Sequence, residues 1–425
     1  MEEKTESLFD MLLETQQIFK KREYLRPTYT PEELPHRESE IRQLALMWAG
    51  PLRGETPSNI FIYGKSGTGK TATVHYVMEE LKKAESRAPK KIEVIYLNCE
   101  QINTKYRILA TLANTLRERN YKRLDKENRG APPELVPITG WPTDQVHNCF
   151  LNAADAENQL VVIVLDEIDK LIARSGDEIL YTLTRVNSDL ANAKVSIVGI
   201  SNNLNFMQFL DPRVRSSLSE EKLIFKPYNA LQLRDILNKR VSMSFVEGAL
   251  DDGVVSLCAA HAAREHGDAR RALDLLRTSG EIAEREGDEK VTVEHVTRAF
   301  EKIEKDWMVE CIRALPTQPK LVLHSIVLLK DKTAKVVTGD VYDVYQALCS
   351  RNGLDVLTKR RVSDLISELD MLGVINAQIT NKGRYGRTKV IELNVDPIQV
   401  MAAIEDEVGL SDVEKLPIPR QVHFG

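Results

Sequence analysis

The hydrophobic pattern first changes character near residue 228. Before it, short apolar runs at 60–63, 92–98, 160–165 and 195–200 are rich in β-branched residues, and they predict buried strands. Between them, apolar positions recur every three or four residues at 39–49, after Lys70 (Val74, Val77, Met78, Leu81), at 105–119 and at 177–190, which predicts helices. Strands separated by helices predict an α/β core with a parallel sheet. After residue 228 the segments 231–246, 253–263, 269–284 and 292–314 all carry helical spacing, which predicts an all-α lid bundle. Beyond Pro316 and Pro319 the pattern gives helices at 320–329, 339–349 and 358–372, then strands at 374–379 and 388–394, the order of a winged helix. Residues 1–22 read as an amphipathic helical stretch with Leu8, Leu12, Leu13 and Ile18 apolar. The expected division is therefore 1–228, 229–314 and 315–410, with a tail at 411–425.

Composition adds limits. The 425 residues are 42% hydrophobic and 28% charged with a net charge of −5, which fits an ordinary globular protein and gives no global support for nucleic-acid binding. No apolar run approaches a membrane span, so no membrane partner is expected, and the acidic start does not read as a secretory signal. Five scattered cysteines without a C-x-x-C pair fit a reducing cytoplasm and argue against structural zinc.

The strand at 60–63 runs into Gly64-Lys65-Ser66-Gly67-Thr68-Gly69-Lys70-Thr71-Ala72 and a helix, the G-x-x-x-x-G-K-[ST] pattern in strand–loop–helix context. Its glycines let backbone N–H groups turn toward phosphate oxygens, and the helix N-terminus adds positive partial charge. Lys70 is expected on the β- and γ-phosphates and the Thr71 hydroxyl on Mg²⁺. The strand at 160–165 ends in Asp166-Glu167, two carboxylates suited to holding that metal and orienting the attacking water. ATP or ADP and Mg²⁺ are the expected ligands.

Other signals leave alternatives open. Asn202 follows the strand at 195–200, where an amide meets either the γ-phosphate or only a turn. Arg213 and Arg215 share a short segment, and either could serve a neighbouring subunit's phosphate or a surface salt bridge. Asp268 is a good helix N-cap, which places Arg270 in the first turn of a lid helix, where it would report ATP against ADP. Tyr29, Leu34, Pro35 and Arg37 lie in a loop before the phosphate loop, which reads as an adenine wall or a plain connection. The stretch 120–140 reads as an insertion or long loop, and Arg117, Arg119, Lys122 and Arg123 around it read first as a solvated face. Residues 358–389 hold seven basic side chains against three acidic ones, a +4 window inside a −5 chain. Thr358, Lys359, Arg360 and Arg361 begin the helix that would enter a major groove, and Lys382, Arg384, Tyr385 and Arg387 sit on the hairpin, with a protein-binding winged helix as the alternative.

Taken in order, Leu34-Pro35-His36-Arg37-Glu38, GKSGTGKT, VLDEID, ISNN, DPRVRSSL and GDARRALDLL resemble the archaeal origin-recognition and cell-division-control AAA+ initiators from about Tyr24 to Leu410. The resemblance implies Walker A roles for Lys70 and Thr71, Walker B roles for Asp166 and Glu167, sensor 1 for Asn202 and sensor 2 for Arg270. It implies the trans-acting arginine for Arg213, with Arg215 close by. It also implies a helical insertion near 102–146 whose Tyr106, Arg107 and Thr139 touch DNA. Double-stranded origin DNA, the MCM helicase and other initiator subunits are the implied partners. A signalling ATPase with a protein-binding winged helix predicts no duplex affinity, and a clamp-loader-like motor predicts DNA-stimulated turnover in stable rings.

Overall fold

Strands too apolar for water on either face need helices on both, and the chain supplies them. We describe a computed structural model over residues 18–408, except 28, 30, 56–57, 124–130, 219, 331–332, 334 and 382–386. It divides into two units, residues 1–296 and 297–425.

The first unit opens on helix α1 (Glu38–Met47), then β1 (Asn59–Tyr63), α2 (Lys70–Ala84), β2 (Lys91–Asn98), α3 (Lys105–Arg123), α4 (Thr143–Asp155) and β3 (Gln159–Asp166). It continues through α5 (Ile168–Ser175), α6 (Glu178–Arg185), β4 (Lys194–Ser201), α7 (Pro212–Leu218) and β5 (Glu220–Ile224). The strands form one parallel sheet in the order β2-β3-β4-β1-β5. β3 lies in its interior and is buried at every position, which is why its run carries no alternation. Register brings the carboxyl ends together: Asn98 pairs with Asp166, and Tyr63 with Ser201 and Ile224. One face packs Phe61, Ile163 and Leu165 against α3 and α4, and the other packs Ile60, Val162 and Val198 against α2.

The lid follows as α8 (Ala230–Ser244), α9 (Val254–Arg264), α10 (Ala269–Glu286) and the start of α11 (Val293–Arg313). Asn229 and Gln232 close a reciprocal capping box on α8, and Asp268 caps α10 by accepting from the N–H groups of Arg270 and Arg271. α9 packs against both neighbours.

Several expectations need correction. The helix expected through residue 22 has given way by Phe19, which bridges Phe245 in extended pairing. Ile18 and Phe19 are both buried, and the N–H groups of Lys20 and Lys21 cap the carbonyl of Ser244 at the end of α8. Leu8, Leu12 and Leu13 lie outside the described residues. The first four residues of the 120–140 loop continue α3, since Arg119 and Arg123 both reach Glu93 on β2. α4 is an addition to the expected elements and supplies much of the core with Val146, Phe150 and Ala154. The 177–190 helix stops at Arg185 and tightens into a 3-10 turn, Val186–Ser188. The Arg213 segment is itself helical, and α5 and β5 were not foreseen.

The second unit contains α12 (Thr317–Lys330), β6 (Val336–Val337), α13 (Thr338–Arg351), α14 (Lys359–Met371), β7 (Ile375–Asn381), β8 (Arg387–Leu393) and α15 (Pro397–Val408). Its antiparallel sheet runs β6-β8-β7. The three expected helices and two strands are present; β6 and α15 are additions, and Val400, Ala403 and Ile404 of α15 fill the core beside α12.

Candidate functional site

The turn after β1 decides where the polar groups fall. Gly67 and Gly69 adopt left-handed backbone, φ +67 and +87°, and neither has room for a side chain. A Cβ at Gly67 would sit 1.7 Å from Asp268 Oδ1, and one at Gly69 would sit 2.8 Å from the Tyr228 hydroxyl. The turn delivers Lys70 at the start of α2, only 6% exposed. Its Nζ donates to the carbonyls of Gly64 and Lys65 and to Asn202 Oδ1, each at 2.8 Å. Burial pushes the Lys70 ammonium down to about 8, with the nearby Asp166 charge opposing.

Asp166 is held on every side. Its Oδ2 accepts from Thr71 Oγ1 at 2.8 Å and from the Tyr96 hydroxyl at 2.6 Å, while Oδ1 accepts from the Glu167 N–H at 2.8 Å. Burial, then the bond to Asp166, keeps the Tyr96 phenol protonated by raising its pKa. Glu167 takes left-handed backbone at φ +56°, an uncommon state for a side-chain-bearing residue, and its carboxylate pairs with Lys170 at 2.8 Å. Lys170 also holds Glu100 at 2.6 Å.

These groups face one cavity of about 550 Å³. Tyr29, Leu34 and Pro35 line it, as do residues 66–72 (Ser66, Gly67, Thr68, Gly69, Lys70, Thr71, Ala72), Asp166, Glu167 and Asn202, with Arg270 entering from α10. The lid therefore touches the phosphate loop itself, and the Ala269 N–H donates to the Gly67 carbonyl at 3.1 Å. Gly64, Lys65 and Arg37 do not line the cavity. Arg37 stands behind the loop, 3% exposed, donating to Thr68 O at 2.9 Å, Lys226 O at 2.7 Å and Glu40 at 2.9 Å, with its guanidinium 3.9 Å from the Tyr228 ring centre. It braces the loop rather than walling a base. Sequence reasoning missed Tyr96, whose signal was a phenol inside an apolar strand run, and Lys170, one turn beyond Glu167. Arg213 begins α7 away from this cavity, its side chain 83% exposed and paired with Asp211 at 3.2 Å, with Arg215 exposed beside it.

The second unit presents a separate basic face. Thr358 caps α14 by accepting from the Arg361 N–H, and Lys359 and Arg360 are exposed on its first turn. Lys359 Nζ lies 5.2 Å from the Tyr342 ring centre. Arg361 pairs with Glu368 at 3.1 Å, and Lys389 donates back to Ser363 O at 3.2 Å and Ser367 Oγ at 2.5 Å. Among the described basic groups of the +4 window, Arg361 and Lys389 thus have internal polar partners and Lys359 an aromatic one. Lys382, Arg384 and Tyr385 lie outside the described residues; Arg387 opens β8, and its side chain is not described. In the first unit, Tyr106 is occupied in holding a turn, donating to Pro137 O at 3.0 Å and accepting from the Trp141 N–H at 3.3 Å. Arg107 is half-buried and Thr139 exposed. Arg119 and Arg123 answer the buried Glu93, whose pKa burial raises. Among the described residues no helix is long and apolar enough to cross a membrane.

Comparison with known proteins agrees with this geometry. The AAA ATPase domain profile matches residues 33–198, which makes this unit a nucleotide-binding ATPase domain. The Cdc6 AAA+ ATPase-type lid domain matches 234–301, and the CDC6 C-terminal winged helix domain matches 310–403. The ORC1-type DNA replication protein of Thermococcus onnurineus is 55% identical over 417 residues, covering 98% of each chain. The ORC1-type DNA replication protein 1 of Archaeoglobus fulgidus is 51% identical over 409 residues, 96% of each. The structure of the Aeropyrum pernix ORC1 protein in complex with DNA shares 45% identity, covers 92% of this chain and 97% of that one, and superposes with a TM-score of 0.73. An ATPase core, a lid and a winged helix, matched end to end by these relatives, make the chain a member of the ORC1-type DNA replication protein family of archaea.

Proposed function

We propose that this chain is a replication initiator that grips double-stranded origin DNA and is switched by exchange of ATP for ADP. The observation that carries the switch is the entry of Arg270, from the lid, into the cavity that holds Lys70 and Asn202. A lid cation beside the γ-phosphate position gains a partner with ATP and loses it with ADP, so lid closure follows the nucleotide. Lys70 and Asn202 hold the γ-phosphate, and Glu167 orients and polarises the attacking water once it turns from Lys170. The Thr71 hydroxyl and Asp166 carboxylate, 2.8 Å apart, are hard oxygen donors that fit Mg²⁺. Bound there, Mg²⁺ would neutralise charge on the β- and γ-phosphates. Arg213 serves a neighbouring subunit, so hydrolysis by a dilute monomer is slow.

The DNA role is supported by the exposed Lys359 and Arg360 on the first turn of α14 and by the relative solved with DNA. Recruitment of the MCM helicase, contact with other initiator subunits, a second DNA contact around Tyr106, Arg107 and Thr139, and a cytoplasmic setting are extended from the family. The test is anisotropy of labelled origin-derived and scrambled duplexes across a salt range, with ATP or ADP present. Tight, salt-sensitive, sequence-preferring binding that differs between the nucleotides is expected. Binding at background level in low salt would remove the DNA role.

A further inference from the structure

One buried cation in the nucleotide cavity has no hydrogen-bond acceptor among the described residues. Arg240 of α8 lines the cavity and is 6% exposed. Its guanidinium lies 4.6 Å from the centre of the Tyr29 ring. Its Nη1 is shielded from water without an acceptor, and among the described residues no carbonyl or carboxylate takes a hydrogen bond from this guanidinium. Arg37 shows the contrast: equally buried, it meets two carbonyls and a carboxylate. Native proteins seldom leave a buried donor unmet, because desolvation is then uncompensated. Burial accordingly lowers the pKa of the Arg240 guanidinium, with only Tyr29 opposing.

The surroundings say what kind of ligand would answer it. Ile236 and Met243 line the cavity from the same helix, while Tyr24 and Tyr29 meet edge to face at 4.8 Å. This is an aromatic and aliphatic set, suited to a flat heterocycle. Phosphate already has Lys70, Asn202, Arg270 and the backbone of the loop. A guanidinium donates and cannot accept, so it answers a lone pair and not an amino group. Purine ring nitrogens offer such lone pairs.

We infer that Arg240 recognises the nucleoside half of the bound nucleotide, donating to a purine ring nitrogen beside Tyr29. This rests on the cavity being a nucleotide site. The test combines calorimetric titration of ATP and ADP with melting of the nucleotide-free chain, for wild type, Arg240→Met and Arg240→Lys. Both variants should bind ATP and ADP about 10- to 100-fold more weakly, by the same factor for each. The nucleotide-free Arg240→Met chain should melt no lower than wild type, since an unmet buried cation has been removed. In wild type, one among 1-deaza-, 3-deaza- and 7-deaza-ATP should show the same loss, with no further loss in Arg240→Met. Unchanged affinity in the variants, a loss confined to ATP, a lower melting point without nucleotide, or indifference to all three analogues would each overturn the assignment. A wild-type chain that binds neither nucleotide would overturn the nucleotide site itself, a distinct outcome.

Discussion

The phosphate loop of the first unit and the start of α14 in the second offer phosphate two different receptions. At the loop, one buried lysine, backbone N–H groups and a helix N-terminus converge on a cavity, and the Asp166 carboxylate is fixed by hydrogen bonds. At α14, exposed side chains stand in water, and Arg361 is already engaged by Glu368. The first arrangement is pre-formed and shielded, so its strength is set by geometry. The second depends on charge and releases counterions when it binds, so its strength is set by salt. Raising salt from 50 to 200 mM should therefore leave nucleotide affinity nearly unchanged while DNA affinity falls steeply.

Lys70→Ala should break the first reception most completely. Loss of a buried, charge-assisted donor should weaken ATP binding about 100-fold in calorimetry. Wild type should bind ATP more weakly as pH rises past about 8, because the buried ammonium then loses the proton that the phosphate needs. Acid strikes the second unit instead. His324 is fully buried with neither ring nitrogen bonded, and burial drives it down to about 4. The unfolded chain takes up this proton near pH 6.5 and the folded chain only near 4. Stability therefore falls as pH drops between those values, by up to about 3 kcal/mol, and His324→Leu should remove that dependence in acid melts. A smaller effect is expected from Lys359→Ala with Arg360→Ala: about tenfold weaker duplex binding, with the log–log salt slope flattened by about 2. Glu368→Gln should give the least, a twofold to threefold gain in duplex affinity from freeing Arg361, since an exposed pair contributes about 0–1 kcal/mol.

The same contrast explains what could be read beforehand. Residues 60–71 and 160–167 were legible because a buried strand, a tight glycine turn and a charged end each demand particular residue types at particular spacing. Arg270 was legible through its cap, Asp268. Arg37 was not, because an arginine in a proline-rich loop looks the same whether it braces backbone or walls a base. α4 is masked in the sequence by the charge and prolines just before it, although Val146, Phe150 and Ala154 carry its core face. The basic window of the second unit was countable, but pairing is not: nothing in the spacing shows that Lys389 turns back onto Ser363 and Ser367. Tyr96 on β2 and Arg240 on α8 carry no motif that ties them to the loop they serve, so only the fold assembles them.

The seat of Asp268 against Gly67 also bears on how copies of this gene can drift. No side chain fits at position 67 while the cap of α10 rests there. A lineage that still closes its lid is thus confined to glycine at that codon, whatever happens to the surface around it. A duplicate that has abandoned closure loses the clash with Asp268, but the left-handed backbone of position 67, φ +67°, still disfavours any side chain there.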